Sequence, residues 1–522
     1  MTATEGISEQ VECDLRVTSG SQYELVRKSG HYETMYNLFH ELGIQSNILV
    51  SATYSHCRTS RLTEPTLFKA LHIVINHHPA LGIIGVRRSS QKKNGNHRLW
   101  EARLNTINLK TCVEFVQYDG EDQGLQRVIE KSHNEWFSTE DKIRPWWKLV
   151  VVNGAHVLFV YHHMIGDGRS GYAFHRSLLA ALNEIEALKT IDGISTDSGA
   201  FMVNVPATLP PAHSIALVQS QLSMLHVIYN FLWWTLIRLI FSNERFLFSD
   251  ASFSNTYPTP TNPFPKDECT VTRIESMQVD CTTKEKCVDA CRIHNTTLTA
   301  LLQTLIQVTL AADVYPKAMF GFSQVAVDFR RYLKTKPGVD VMMNAASTFS
   351  SPQRLGRYRE AGRRPKIGAG NGAVPGVHLD IPLLWHLASQ YRAKLHSDLN
   401  KSNTALQDYL TVPLLGIDDE EFASQLFPNI GRVSNNAFLV SNIGAFQGMT
   451  NDLSPGWTIG HVEFSAAATK ASCGTAGIVF NVASVEKGDL VVNASYEEGV
   501  LKPETVRKVM KGIKERLTLL LE

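Results

Sequence analysis

The segment Val157-Leu158-Phe159-Val160-Tyr161-His162-His163-Met164-Ile165-Gly166-Asp167-Gly168 decides how this chain is read. Five consecutive apolar β-formers predict a buried strand, and the run stops abruptly at two histidines, a glycine-rich turn and an aspartate. Just upstream, Leu149–Val152 is a second such run, joined to the first through Asn153-Gly154, a strong hairpin signal. Downstream, Phe174 to Leu188 predicts a helix. A histidine at a strand end, beside a turn and ahead of a helix, is placed to face a cavity. Its neutral imidazole, with an ordinary pKa of about 6.5, can accept a proton near neutrality. Gly166, Gly168 and Gly171 let the backbone bend tightly and leave room for a ligand. Asp167 follows His163 by four positions, and a turn can point it back into the protein. There it needs a cation, because an unpaired buried carboxylate is costly. Taken alone, two adjacent histidines are more often a satisfied structural pair or a surface feature; the strand, the three glycines and Asp167 around them shift the balance toward a site.

Outward from this segment, helix and strand signals alternate, which makes the class α/β. Glu33–Leu42 and Glu64–Asn76 predict helices, the latter with Leu67, Leu71, Val74 and Ile75 on one face and Pro79 as its stop. Ser46–Tyr54 and Leu81–Val86 predict strands. Asp192–His213 and Asn255–Pro265 are rich in breakers and read as a connection. Beyond Cys269 the pattern resumes with a helix at Thr297–Ala311, a strand at Phe320–Val327, a loop at Arg354–Gly376, a helix at Leu383–Leu399 and further strands. A chain of 522 residues exceeds one ordinary core. The expected division is a lobe over 1–200, a linker over 201–266 and a second lobe over 267–522. With 43% hydrophobic residues and a formal charge of +1, no global field recruits nucleic acid. Met1–Gln22 lacks the order of a secretory signal, and eight scattered cysteines suit reduced thiols, so a cytoplasmic setting is expected.

His-His-x-x-x-Asp-Gly resembles the signature of the chloramphenicol acetyltransferase-like superfamily, which includes condensation domains. Five further stretches resemble fungal alcohol O-acetyltransferases or their condensation-domain relatives: Leu42-Gly43 with the strand Asn47–Tyr54, His78-Pro79-Ala80-Leu81, Arg144–Leu149, Val325–Arg331, and Val440-Ser441-Asn442-Ile443-Gly444. They occur in the order the family shows and cover most of the chain. The resemblance implies two lobes, each a mixed sheet flanked by helices, with an active-site channel between them. It implies His163 as general base, with Asp167, Gly168 and Arg330 as structural members of the site and Arg330 as the partner of Asp167. His162, Ser441 and Asn442 are implied as substrate contacts, Ser441 and Asn442 being candidates for the oxyanion donor.

The implied reaction takes an acyl group, acetyl above all, from acyl-CoA to a hydroxylated small molecule, in a ternary complex and a monomeric protein. No bound cofactor or metal is implied. The chain has no G-x-S-x-G elbow that would support a serine acyl-enzyme. Two alternatives stay open: amide-forming, condensing or cyclising chemistry on the same fold, and a non-catalytic binder of lipophilic ligands.

Four other features need weighing. Arg354, Arg357, Arg359, Arg363, Arg364 and Lys366 form the one dense basic cluster, either a solvated run or a seat for CoA phosphates. Gly368–Gly372 lacks the strand and helix of a dinucleotide fingerprint. Cys281, Cys287, Cys291 and His294 are near in sequence but contain no C-x-x-C pair, so ordinary thiols are expected. Leu222–Phe241 has the length of about 20 residues that could span a bilayer. Yet Gln219, Ser223, His226 and Asn230 draw a polar stripe along it, and Arg238 adds a charge. That pattern predicts an interfacial helix, with peripheral attachment to an endoplasmic reticulum or lipid-droplet surface, or a helix shielding an apolar channel mouth, against a buried core helix as the alternative.

Overall fold

The structure is a computed structural model that describes residues 21–57, 61–88, 98–118, 123–192, 201–218, 220–240, 269–363, 378–415, 436–447, 456–469 and 476–522. Gln219, Phe241, Asn255–Pro265, Arg364, Lys366 and Gly368–Gly372 lie outside these residues.

The first part of the chain runs β1 (Tyr23–Lys28), α1 (His31–Glu41), β2 (Ile48–His56), α2 (Glu64–His77), β3 (Ile83–Arg88), β4 (Arg98–Leu104), β5 (Thr106–Asn108), β6 (Val113–Val116), α3 (Gln123–Asn134), β7 (Trp147–Val152), β8 (His156–Tyr161), α4 (Gly168–Asp192) and β9 (Met202–Asn204). Later strands are β10 (Thr272–Val279), β11 (Phe320–Asp328), β12 (Ala346–Arg354), β13 (Asn436–Phe446), β14 (Trp457–Ala466), β15 (Ala476–Val485) and β16 (Leu490–Glu497). The fold is mixed α/β, built on a five-stranded sheet in the order β14-β2-β8-β7-β6 and a six-stranded sheet in the order β10-β16-β15-β13-β11-β12.

Alternation and turn chemistry account for the first sheet. Asn153 and Gly154 both take positive φ, 54° and 68°, which a tight hairpin requires, and β7 and β8 pair antiparallel from Trp147↔Tyr161 to Val152↔His156. Val157 to Tyr161 are wholly buried, because α2 and α4 cover one face of the sheet and α3 helps close the other. In the second sheet β13 lies parallel to both β11 and β15, and its register slips between Asn442 and Ala445, where Gly444 sits at φ 87°.

Two exchanges bind the parts of the chain together. β14, although it follows β13 in sequence, leaves the six-stranded sheet and pairs antiparallel with β2, from Trp457↔His56 to Ala466↔Ile48. Conversely, Tyr32, Leu38 and Phe39 of α1 pack into the core beneath the six-stranded sheet. Both crossings meet at the end of β8.

Two sequence expectations need correction. The helix expected from Phe174 begins at Gly168 and runs to Asp192. Asp167 starts it: its Oδ1 accepts from the backbone N–H of Arg169 (3.1 Å) and Ser170 (3.2 Å), an N-cap that outweighs the glycines following it. The loop expected over Arg354–Gly376 is partly ordered secondary structure, since Arg354 closes β12 and Gly356–Gly362 is a short helix.

Candidate active site

The buried strand β8 delivers its last residue, Tyr161, to the base of the turn, where the phenol donates to the Asp167 carbonyl at 2.6 Å. His162 follows at zero exposure. Its Nδ1 accepts from the Met164 N–H at 3.0 Å, and its ring lies among His40 (4.4 Å), Trp146 (4.7 Å) and Phe137 (6.4 Å). Burial, with His40 and His163 beside it, pushes its pKa well below the ordinary value. The structure places the His162 ring in the interior, its Nδ1 capping its own turn and its Nε2 buried without a hydrogen-bond partner, rather than at an exposed surface where a substrate contact was expected.

His163 opens the one-turn helix His163–Ile165 and stays partly exposed. Tyr36 of α1 stacks on its imidazole, with centroids 3.6 Å apart and planes within 7°. Asn344 holds the turn from the other part of the chain, its Nδ2 donating to the carbonyls of His163 (2.9 Å) and Met164 (3.0 Å). The ring's Nδ1 is buried without a hydrogen-bond partner, as is Oδ1 of Asn344. Burial pulls the His163 pKa below 6.5, opposed by its own carbonyl, by Asp167, by the Asn344 side chain and by Glu33. The ring is thus neutral at pH 7 and competent to take a proton.

Asp167 turns inward and meets Arg330, which stands just past β11. The guanidinium donates through Nη1 to Oδ2 (2.8 Å) and through Nη2 to Oδ1 (3.0 Å), a bidentate pair with both side chains almost fully buried. Ala345 N–H adds a donor to Oδ2 at 3.0 Å. Burial alone would raise the Asp167 pKa, but Arg330 and these donors hold it below the usual carboxylate range. Arg330 also reaches the Met343 carbonyl (3.0 Å) and Asp328 (3.2 Å), so both Nη groups each meet two acceptors. The Ser170 hydroxyl both donates to Met343 O and accepts from Met343 N, each at 3.1 Å. Met343, Asn344 and Ala345 thus form a backbone rail along the turn that carries His163.

The glycines serve packing between protein groups. A Cβ on Gly168 would meet Ile443 at 2.8 Å, and one on Gly171 would meet Val50 at 2.2 Å. The space expected for a ligand is occupied by the protein itself.

Ser441 and Asn442 lie in β13, and no hydrogen bond joins either to His163. The Asn442 amide instead donates to Thr299 Oγ1 (3.0 Å) and accepts from Gly444 N–H (2.9 Å), which fixes the strand's bulge. Asn442 and Gly444 line a separate cavity of about 520 Å³ with Lys284, Arg292, Ser484 and Glu486. In the basic cluster, Arg359 is tied to the carbonyls of Ala311 and Ala318. Cys287 and Cys291 are buried, Cys281 pairs with Glu285, and His294 stacks on Trp385 at 4.3 Å. Among the described residues no cluster could hold a metal ion.

Tyr36, Asn344 and Ser170 were absent from the sequence reading. Asn344 had a weak signal, a lone amide in the apolar run Val341–Ala346. Tyr36 had none beyond its place on an amphipathic helix.

A strand-end histidine turn, pinned by a buried aspartate–arginine pair between two interlocked parts of an α/β chain, defines the two-lobed fold of acetyltransferases and condensation domains. Solved structures share it. The trichothecene 15-O-acetyltransferase of Fusarium sporotrichioides matches over 97% of both chains with a TM-score of 0.64 at 12% identity. A condensation domain from a monacolin K polyketide synthase matches over 95% of this chain and 97% of its own with a TM-score of 0.56 at 12% identity. The family model of alcohol acetyltransferases matches residues 28–351, and the chain belongs to that family. It is accordingly an acyltransferase enzyme. A relative in Aspergillus fumigatus, described as a probable alcohol acetyltransferase, is 21% identical over 93% of this chain and 97% of its own. One from Fusarium pseudograminearum with the same description is 24% identical over 94% of each.

Proposed function

We propose that the protein transfers an acetyl group from acetyl-CoA to the hydroxyl of a small lipophilic alcohol, with His163 as the general base. The carrying observation is that a neutral, partly exposed His163 is held between Tyr36 and the Asn344 clamp. With Nδ1 buried in the protein, a proton on that nitrogen leaves the Nε2 lone pair free to act.

In a ternary complex the alcohol O–H gives its proton to Nε2 as the oxygen bonds to the thioester carbonyl carbon. The tetrahedral oxyanion collapses, the C–S bond breaks, and the leaving sulfur takes the proton back from the imidazolium. The products are the ester and free CoA thiol. Asp167 takes no proton, since its carboxylate is committed to Arg330 and the backbone; it holds the turn's shape. Gly168 lets α4 start hard against β13 and β14.

The test is incubation of the full chain with acetyl-CoA and a panel of alcohols graded in chain length, following free thiol. Alcohol-dependent thiol release with matching ester is the expected result. Release that requires an amine, or an acyl carrier protein as donor, would move the chain to amide-forming or condensing chemistry.

A further inference from the structure

The helix Met224–Ile240 reverses the usual arrangement of a surface helix, which turns its apolar stripe to the core. It is fastened by its polar groups. His226 Nε2 and Asn230 Nδ2 both reach Asp408 Oδ1 at 2.8 Å, and Ser223 N–H donates to Gln407 at 2.7 Å. Asp408 and Gln407 belong to the helix Thr404–Thr411 of the six-stranded part. The opposite side presents Leu225 at 80% exposure and Phe231 at 70%, with Ile228, Tyr229, Leu232 and Leu236 also exposed. An apolar face of this kind turned away from the core marks an interaction surface.

Charge indicates the occupant. Where the chain enters this helix, Val218 bridges Leu333, and Lys334 N–H donates to Leu217 O at 2.8 Å. Exposed Lys334 therefore stands beside the stretch that leads into this helix, with exposed Arg331 and Lys336 within three residues of it, while Asp408 beneath the helix is engaged by His226 and Asn230. Among the described residues the outward positions of this face are all apolar or aromatic, and such a face with cations near the stretch that leads into it complements an anionic bilayer surface: acyl chains below, phosphates beside. The helix has 17 residues, about 25 Å at 1.5 Å per residue, which is short of a span. Among the described residues no single helix is long and apolar enough to cross a membrane.

We infer that Met224–Ile240 is an interfacial anchor, lying in the headgroup layer of an anionic phospholipid membrane with its Leu225–Phe231 face in the lipid. The inference is independent of the acetyl-transfer reading, because its readout is binding.

The test is flotation of the full chain with phosphatidylcholine vesicles, with and without phosphatidylserine. Wild type is expected to float, more strongly with phosphatidylserine and less so at high salt. Leu225→Ser/Ile228→Ser/Phe231→Ser should lower partitioning by roughly a hundredfold or more. Lys334→Glu/Lys336→Glu should lower the phosphatidylserine-dependent part by about fivefold per lysine. Both variants should keep the wild-type melting temperature and turnover of a water-soluble alcohol, since the changed side chains face outward. Absence of wild-type flotation, or equal flotation of the serine variant, would overturn the inference. So would a concentration-dependent dimer, abolished by the serine substitutions, in a protein that ignores vesicles.

Discussion

Replacing Asp167 by Asn tests what holds the reactive turn in place. The substitution preserves shape and removes only charge and one acceptor oxygen. In the native site the carboxylate accepts from Arg330 twice and from the N–H groups of Ala345, Arg169 and Ser170. An amide that keeps Oδ1 for the N-cap turns its NH₂ toward Arg330 Nη1 and Ala345 N–H, donor against donor. The guanidinium, with 10% of its side chain exposed, is left without its main counter-charge. Orphaning one member of a buried pair typically costs about 3–5 kcal/mol. That is a large share of the roughly 5–15 kcal/mol by which a folded domain is stable. Urea unfolding followed by tryptophan fluorescence should show that loss in Asp167→Asn. Asp167→Asn/Arg330→Met should recover much of it, because the double change also removes the stranded charge. If Asp167→Asn unfolded within about 1 kcal/mol of wild type, the pair would be doing no more than an exposed ion pair does, and the bracket role assigned to it would fail.

Further expectations follow from the same contacts. Asn344→Ala strips the donor from two carbonyls of the reactive turn; it should cost about 1–3 kcal/mol of stability. It should also lower kcat by about tenfold to a hundredfold with little change in KM, measured by steady-state thiol release. Gly171→Ala drives a methyl into Val50 and should destabilise by about 1–3 kcal/mol in thermal melts. His133 and His175 are held neutral by burial, with pKa values pulled down to about 3 and about 4. Below pH 6.5 the unfolded chain takes up protons that these folded side chains refuse. Stability should therefore be full above that pH and fall by about 1.4 kcal/mol per pH unit for each histidine toward pH 4, as read from urea midpoints.

The parts of the fold that local chemistry dictates were legible beforehand. The hairpin at Asn153-Gly154, the buried run into His162 and the helix Glu64–His77 follow from turn residues and periodicity, which act over a few positions. Legibility failed where a tertiary partner decided the outcome. β14 reads as one more late strand, and only the finished structure sends it across to β2. Tyr36 meets His163 from another element, and a stacking ring leaves no mark at helical spacing. The early start of α4 was hidden because glycines at 168 and 171 look like loop, until Asp167 caps the helix and close neighbours require the missing side chains. His162 and His163 are adjacent in sequence yet opposite in environment, one sealed and one open. No composition argument separates them, since the two chain directions diverge within a single turn.

The central claim is that His163 carries the proton. His163→Ala leaves untouched the Asn344 clamp, which grips backbone carbonyls, and the Asp167–Arg330 pair, so the fold should survive within about 1 kcal/mol. The decisive measurement is single-turnover transfer from acetyl-CoA by this variant on an alcohol that wild type accepts. The account predicts a rate lower by about 10²–10⁴-fold with binding of both substrates retained. Transfer at the wild-type rate in a folded His163→Ala protein would contradict it.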